Sequence, residues 1–187
     1  MSLTPRRKQP EKVRRDLLDA AARIATRAGV QTVTVEAVSA EAGVTKGAFF
    51  HHFPSKQALV AAVFHDLIDR LDAYLADAIA ADPLPHGRFT RAYIHAVTEP
   101  DAGGSDGLWI AVYFATLSNA ELRDGWRDWL AGRLADHAED GPDIALQTAR
   151  FAADGIWLGM ISGSGPAPDD LARLRAHLLA LTLPPSQ

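Results

Sequence analysis

The run Gly103-Gly104-Ser105-Asp106-Gly107 spells G-x-S-x-G, the pattern that in hydrolases holds a serine nucleophile on a sharp turn from strand to helix. Such a turn needs a strand before it. Here the preceding segment has helical spacing and ends at Pro100, so Ser105 or Asp106 reads as a helix cap and hydrolysis is not expected. No two of the seven histidines stand at i, i+4 with a carboxylate beside them in the usual metal-binding pattern, and His51 and His52, being adjacent, fall on different faces of a helix. With no cysteine in the chain there is no thiolate ligand, no thiol nucleophile and no disulfide framework. The expectation is a protein that is not an enzyme and that holds no metal and no cofactor.

The chemistry that does stand out is donation to a polyanion. Thr45, Lys46 and His51 carry donors that can reach phosphates or base edges, and Gly47 among them permits close backbone approach. The elements that must position these residues are legible. Val35, Val38 and Ala42 repeat at three and four residues, one apolar stripe on a helix of about two turns. Thr34 stands where its oxygen can accept from a free N–H of the first turn, and Glu36 suits the positive end of the helix dipole. Gly43 can take the left-handed conformation that ends a helix, and Thr45 can cap the next one. In that second helix Phe49 and Phe53 face a core, which leaves Lys46, Gly47, Phe50 and His51 outside. Val35–Phe53 therefore reads as a helix-turn-helix whose second helix offers a small, basic face to a major groove.

Around this stretch the sequence predicts only helices. Val13, Leu17, Ala20, Ala21, Ile24 and Ala28 mark a bracing helix from about 11 to 28, preceded by a basic arm, residues 1–10, with Arg6, Arg7 and Lys8. Ser55 is a plausible cap for a long helix from Lys56 to Ala81, with Leu59, Val63, Leu67, Leu71, Leu75 and Ile79 every four residues or so, and Lys56 in its first turn can reach a phosphate. Prolines at 83, 85, 100, 142, 166, 168, 184 and 185 separate further helical segments at about 87–98, 106–118, 119–140, 143–163 and 169–182. The expected fold class is all-α, about nine helices: an N-terminal three-helix head over residues 1–54 and a helical body over 55–187.

Charge divides in the same place. Residues 1–56 hold ten Lys or Arg against five Asp or Glu, a balance of +5; residues 57–187 hold nine against eighteen, a balance of −9, which together make the net −4 of the chain. A basic head on an acidic body fits a head that meets a polyanion. No apolar run approaches the roughly 18 residues of a membrane span, and the first residues are polar rather than a signal core, so no membrane association and a cytoplasmic location are expected.

Residues 11–60 resemble the DNA-binding domain of the TetR family of bacterial transcriptional regulators. The likeness runs through Ala20-Ala21, Gly29, Thr34, the turn Ala42-Gly43-Val44-Thr45-Lys46-Gly47, and Phe50-His51-His52-Phe53-Pro54-Ser55-Lys56. It implies contacts to double-stranded operator DNA from Thr34, Val35, Thr45, Lys46, Gly47, Ala48, Phe50, His51 and Lys56. One position departs from the family pattern, which usually has tyrosine where this chain has Phe50, so a phosphate-binding hydroxyl is missing there. The resemblance further implies a homodimer that binds a palindromic operator, most simply as a repressor, and is released when a small-molecule effector binds the body. The competing reading is a helical interaction module that has lost DNA binding.

The body offers candidates for both remaining tasks. Tyr93, Trp109, Tyr113, Trp126 and Trp157, with Phe114 and Met160, can line a cavity for a flat apolar effector, or simply fill the core. Asp154 lies in an otherwise apolar run, where it either pairs with Arg150 or binds a cationic aromatic effector. Gly155, Gly159 and Gly163 recur every four residues, and a strip of helix-weakening glycines suggests close approach by another helix. By the resemblance this helix and the last one, with Leu171, Leu174 and Leu178, form the dimer interface.

Overall fold

The computed structural model describes residues 8–99, 106–138 and 140–184. The arm residues 1–7, Pro100, Gly103, Gly104 and Ser105 of the G-x-S-x-G run, and Pro185 lie outside the described residues, as does the side chain of Phe114. Among those described there are nine α-helices and no strand: α1 (Lys8–Ala28), α2 (Val35–Glu41), α3 (Lys46–His52), α4 (Lys56–Ala81), α5 (Arg88–Thr98), α6 (Asp106–Ser118), α7 (Ala120–Asp136), α8 (Ile144–Ser162) and α9 (Pro168–Ala180). One short 3-10 turn, Val30–Thr32, joins α1 to α2 and had no signature in the hydrophobic spacing.

Two prolines expected to stand outside helices are in first turns instead. Pro10 is the third residue of α1 and Pro168 the first of α9, where the missing N–H would have had no intrahelical acceptor.

By contact the chain forms two compact units, Met1–Ile68 with Asp106–Arg123, and Asp69–Ser105 with Asp124–Gln187. The division differs from the expected boundary at 54/55, because it falls inside α4 and assigns α6 to the first unit. The reason lies in α1, which buries Leu17, Leu18, Ala20, Ala21, Ile24 and Ala25 and packs against α6 as well as α2 and α3. Ala28, expected on the buried stripe, is exposed. Ion pairs lie outside this apolar contact: Arg23 and Arg27 of α1 hold Glu41 at the end of α2, and Arg15 pairs with Asp66 of α4.

In the second unit α5 packs between α8 and α9 around Ile94, Ala149, Ala153 and Leu178. The two alanines let the helix axes close. Asp143 caps α8 by accepting from the N–H groups of Ala145 and Leu146 at 2.7 and 3.3 Å. The start of α5 has no such local cap. Gly87 stands there, and the buried carboxylate of Asp140 accepts from Gly87 N–H at 3.0 Å, Thr90 N–H at 2.8 Å and the Thr90 hydroxyl at 2.8 Å.

Candidate functional site

The turn between α2 and α3 is built from its own backbone bonds. Gly43, at φ +67°, turns the chain, so that the Val44 N–H meets the Ser39 carbonyl at 2.9 Å and the Gly43 N–H meets Ala40 at 3.2 Å, both bonds of a Schellman cap. Thr34 accepts from Ala37 N–H and Thr45 from Ala48 N–H, each at 3.1 Å, so both threonines work as helix caps. Caps of this kind contribute about 1 kcal/mol each.

Phe49 is fully buried and Phe53 nearly so, with ring centroids 6.0 Å apart, and the guanidinium of Arg14 lies 5.2 Å over the Phe53 ring. Burial of a phenylalanine contributes roughly 1.5–3 kcal/mol and fixes which side of α3 faces inward. The opposite side is the expected one: Lys46, Gly47, Phe50 and His51 are exposed, and Val35 and Ala48 half-buried. Phe50 is 52% exposed and is held edge-on against Phe49 at 5.4 Å. Its ring is therefore fixed, outward, and without a hydroxyl.

Two of the cations have partners that sequence spacing did not reveal. Lys46 donates to Glu36 at 2.5 Å across the turn, and the ammonium holds the exposed Glu36 carboxyl below its ordinary range. Lys56 donates to the Gln31 carbonyl at 3.2 Å. An ammonium has three donors, so each keeps others for a phosphate. His52, half-buried beside exposed His51, has its basicity lowered by burial first and then by His51.

The effector candidates are distributed over both units. Trp109 and Tyr113, half-buried on α6, belong to the first; Tyr93, Trp126, Asp154 and Trp157 belong to the second. Tyr93 is buried and donates its hydroxyl to Asp154 at 2.6 Å. Burial raises the Asp154 carboxyl against the pull of Tyr93 and Arg150, and one of its oxygens already accepts a hydrogen bond. Arg150 attracts the Asp154 carboxylate electrostatically, while its hydrogen bonds go elsewhere. Arg150 donates to the Thr90 hydroxyl at 2.6 Å and toward the Asp140 carbonyl at 3.5 Å, joining the polar group that caps α5. Trp126 packs against Trp129 at 4.8 Å, and the Trp129 indole N–H donates to Asp72 at 2.9 Å.

Family models match both parts of the chain: bacterial regulatory proteins of the tetR family over residues 17–63, and a tetracyclin repressor-like C-terminal domain over residues 87–183. The chain belongs to the tetR family. The HTH-type transcriptional repressor KstR of Mycolicibacterium smegmatis is 33% identical over 149 residues, 78% of this chain and 72% of that protein. The HTH-type transcriptional repressor KstR2 of Rhodococcus jostii is 27% identical over 164 residues, covering 79% and 78%. Among solved structures, the multidrug binding protein EbrR complexed with imidazole shares the fold at a TM-score of 0.71 and 24% identity, over 100% of this chain and 97% of that one.

As a tetR-family regulator, the chain carries its helix-turn-helix in α2 and α3, where the spacing predicted it. The dimer candidates need revision. Leu178, at 5% exposure, belongs to the chain's own core with Ile94, and Leu171 is half-buried. Gly163 lies past the end of α8 as its left-handed cap at φ +75°, and Gly159 packs on Gly165 of the following loop, 3.4 Å from where a Cβ would stand. Gly155 and Leu174 remain outward. The larger apolar surface was missed. Ile144, Phe151 and Leu158, seven residues apart on α8, are exposed by 75%, 74% and 43%, and exposed Thr148, Gly155 and Ser162 interleave with them. Their spacing was present in the sequence, but α8 is apolar on several sides and periodicity alone could not say which side stays outside.

Proposed function

We propose that this chain is a ligand-responsive repressor that binds a palindromic operator as a dimer, through α3, and leaves it when a small molecule binds the body. One observation supports it above the others: two threonine-capped helices on a glycine turn leave Lys46, Gly47, Phe50 and His51 on a single exposed face of α3. Such a face fits a major groove, where N-terminal residues of a recognition helix meet base edges. Thr34 and Lys56 flank it on the side that would meet phosphates. A regulator that meets chromosomal DNA works in the cytoplasm.

The dimer part of the reading rests on α8. A seam with alternating three- and four-residue spacing is what a helix presents to a partner helix, and water-exposed Ile144 and Phe151 are otherwise unfavourable. Two heads would then reach successive major grooves about 34–36 Å apart, and effector and operator affinities would be reciprocally coupled.

Gel-shift titration with duplex DNA from upstream of the protein's own reading frame tests the reading. Wild type should retard that DNA with a strong salt dependence, and Lys46→Ala with His51→Ala should abolish the shift. A double variant that binds as tightly as wild type would leave the helical interaction module as the better account.

A further inference from the structure

We propose that the second unit carries a cleft for a small amphipathic carboxylate, walled by α4, α5 and α7; the proposal rests on reading the chain as effector-responsive, and it names the effector's chemical class. The cleft measures about 370 Å³, toward the small end of the ~300–1,000 Å³ of ligand pockets. Its α4 wall is one helix face, Asp72, Ala76, Ile79 and Ala80, and the two alanines leave open the volume that longer side chains would fill. Leu75 and Phe89, both buried, supply an apolar floor. Arg88, Arg133 and His137 bring the donors, with the His137 ring stacked on Phe89 at 5.4 Å.

The acids of the wall already have donors. Asp82 accepts from Arg91 Nε–H at 2.6 Å and from Leu84 N–H at 2.9 Å, and Arg91 foremost holds its carboxyl below the ordinary range. Arg91 is itself engaged by the carbonyls of Leu84, His86 and Thr182, so this pair closes on itself. Asp72 accepts the Trp129 indole N–H at 2.9 Å and stands 3.8 Å from Arg133. The Arg133 guanidinium is held only loosely, by that contact and by Asp136 at 3.3 Å, and its buried Nε–H meets no acceptor. A ligand entering here must therefore bring an acceptor. A guanidinium matches a carboxylate through parallel N–H bonds, the floor takes a hydrocarbon, and a cation would meet two arginines.

Isothermal titration of the full chain with decanoate, 1-decanol and decylamine tests the proposal. Decanoate should bind, with decanol weaker by about tenfold, the loss expected for one charge-assisted hydrogen bond. Decylamine should not compete. Ala76→Phe, at an exposed position, should block decanoate while keeping the thermal midpoint; Arg133→Gln should weaken decanoate by about tenfold and leave decanol unchanged. No decanoate binding, decylamine binding as well as decanoate, or undiminished decanoate binding by the Ala76→Phe protein would each overturn it. Gel shifts run on the same samples separate the two readings. Retarded DNA without decanoate binding sinks the cleft alone, whereas decanoate binding without retarded DNA sinks the regulator.

Discussion

At the scale of single residues, Phe50 shows how much a missing atom can matter. The ring is pinned edge-on by buried Phe49 and points outward in the middle of the α3 face, so a para substituent would extend outward without disturbing the core. Replacing it with tyrosine adds a donor at the position where the family usually has one. Phe50→Tyr should therefore tighten operator binding by ~0.5–1.5 kcal/mol per half-site, roughly two- to twelvefold, with no change in thermal midpoint. Equal affinities of the two proteins in a gel-shift titration would show that the position makes only ring contacts. Lys46 belongs to the same scale. Its pairing with Glu36 joins two exposed groups, a geometry that typically contributes little to stability and yields to a phosphate without much cost.

At the scale of elements, the joint between α5 and α8 holds buried polar groups beside its apolar cluster. Tyr93 donates to Asp154, and Thr90, Asp140 and Arg150 form a second cluster along the same contact. Burial raises the Asp154 carboxyl above its ordinary range, so the folded state holds its proton more tightly than the unfolded chain does. The sign follows from linkage: a raised folded value contributes stability that is present below the unfolded pKa and is lost as pH rises through the folded one. Asp154→Asn keeps an acceptor for the Tyr93 hydroxyl and removes the titration. The variant should match wild type near pH 4 and be the more stable of the two by neutrality, a difference read by thermal melts across about pH 4–7. Parallel melting curves over that range would refute the buried-carboxyl account. The helix spans themselves followed from sequence, α4 to the residue, because leucines every four positions and the Ser55 cap are local signals.

At the scale of the whole molecule, the exposed seam on α8 is the surface on which the proposed dimer rests. Ile144, Phe151 and Leu158 lie on one line, and covering them would remove apolar surface from water at roughly 25 cal/mol per Å². Phe151→Glu puts a charge at the centre of that line without touching the core, since Phe151 makes no part of the chain's own buried cluster. Light scattering at micromolar concentration should find wild type at twice the chain mass and Phe151→Glu at the chain mass, with operator affinity reduced to that of a single head. A wild-type monomer would remove the two-head mechanism altogether.

What could be read without coordinates was local. Caps at Thr34, Thr45 and Ser55, the glycine turn, the inward pair Phe49 and Phe53, and the outward Lys46, Gly47, Phe50 and His51 all follow from neighbours within four residues or so, and all stand in the structure as expected. The misses were non-local. Arg150, four residues from Asp154, does act on its carboxylate, but its hydrogen bond goes to the Thr90 hydroxyl, sixty residues away in sequence, which no local spacing announces. Asp140 caps a helix fifty residues before it, and Leu178 was placed on a dimer face when Ile94 and Ala153 had already covered it. Periodicity names the apolar sides of a helix, but which of them another helix occupies is settled only when the chain folds back, since buried polar groups take whatever partner tertiary packing brings within reach.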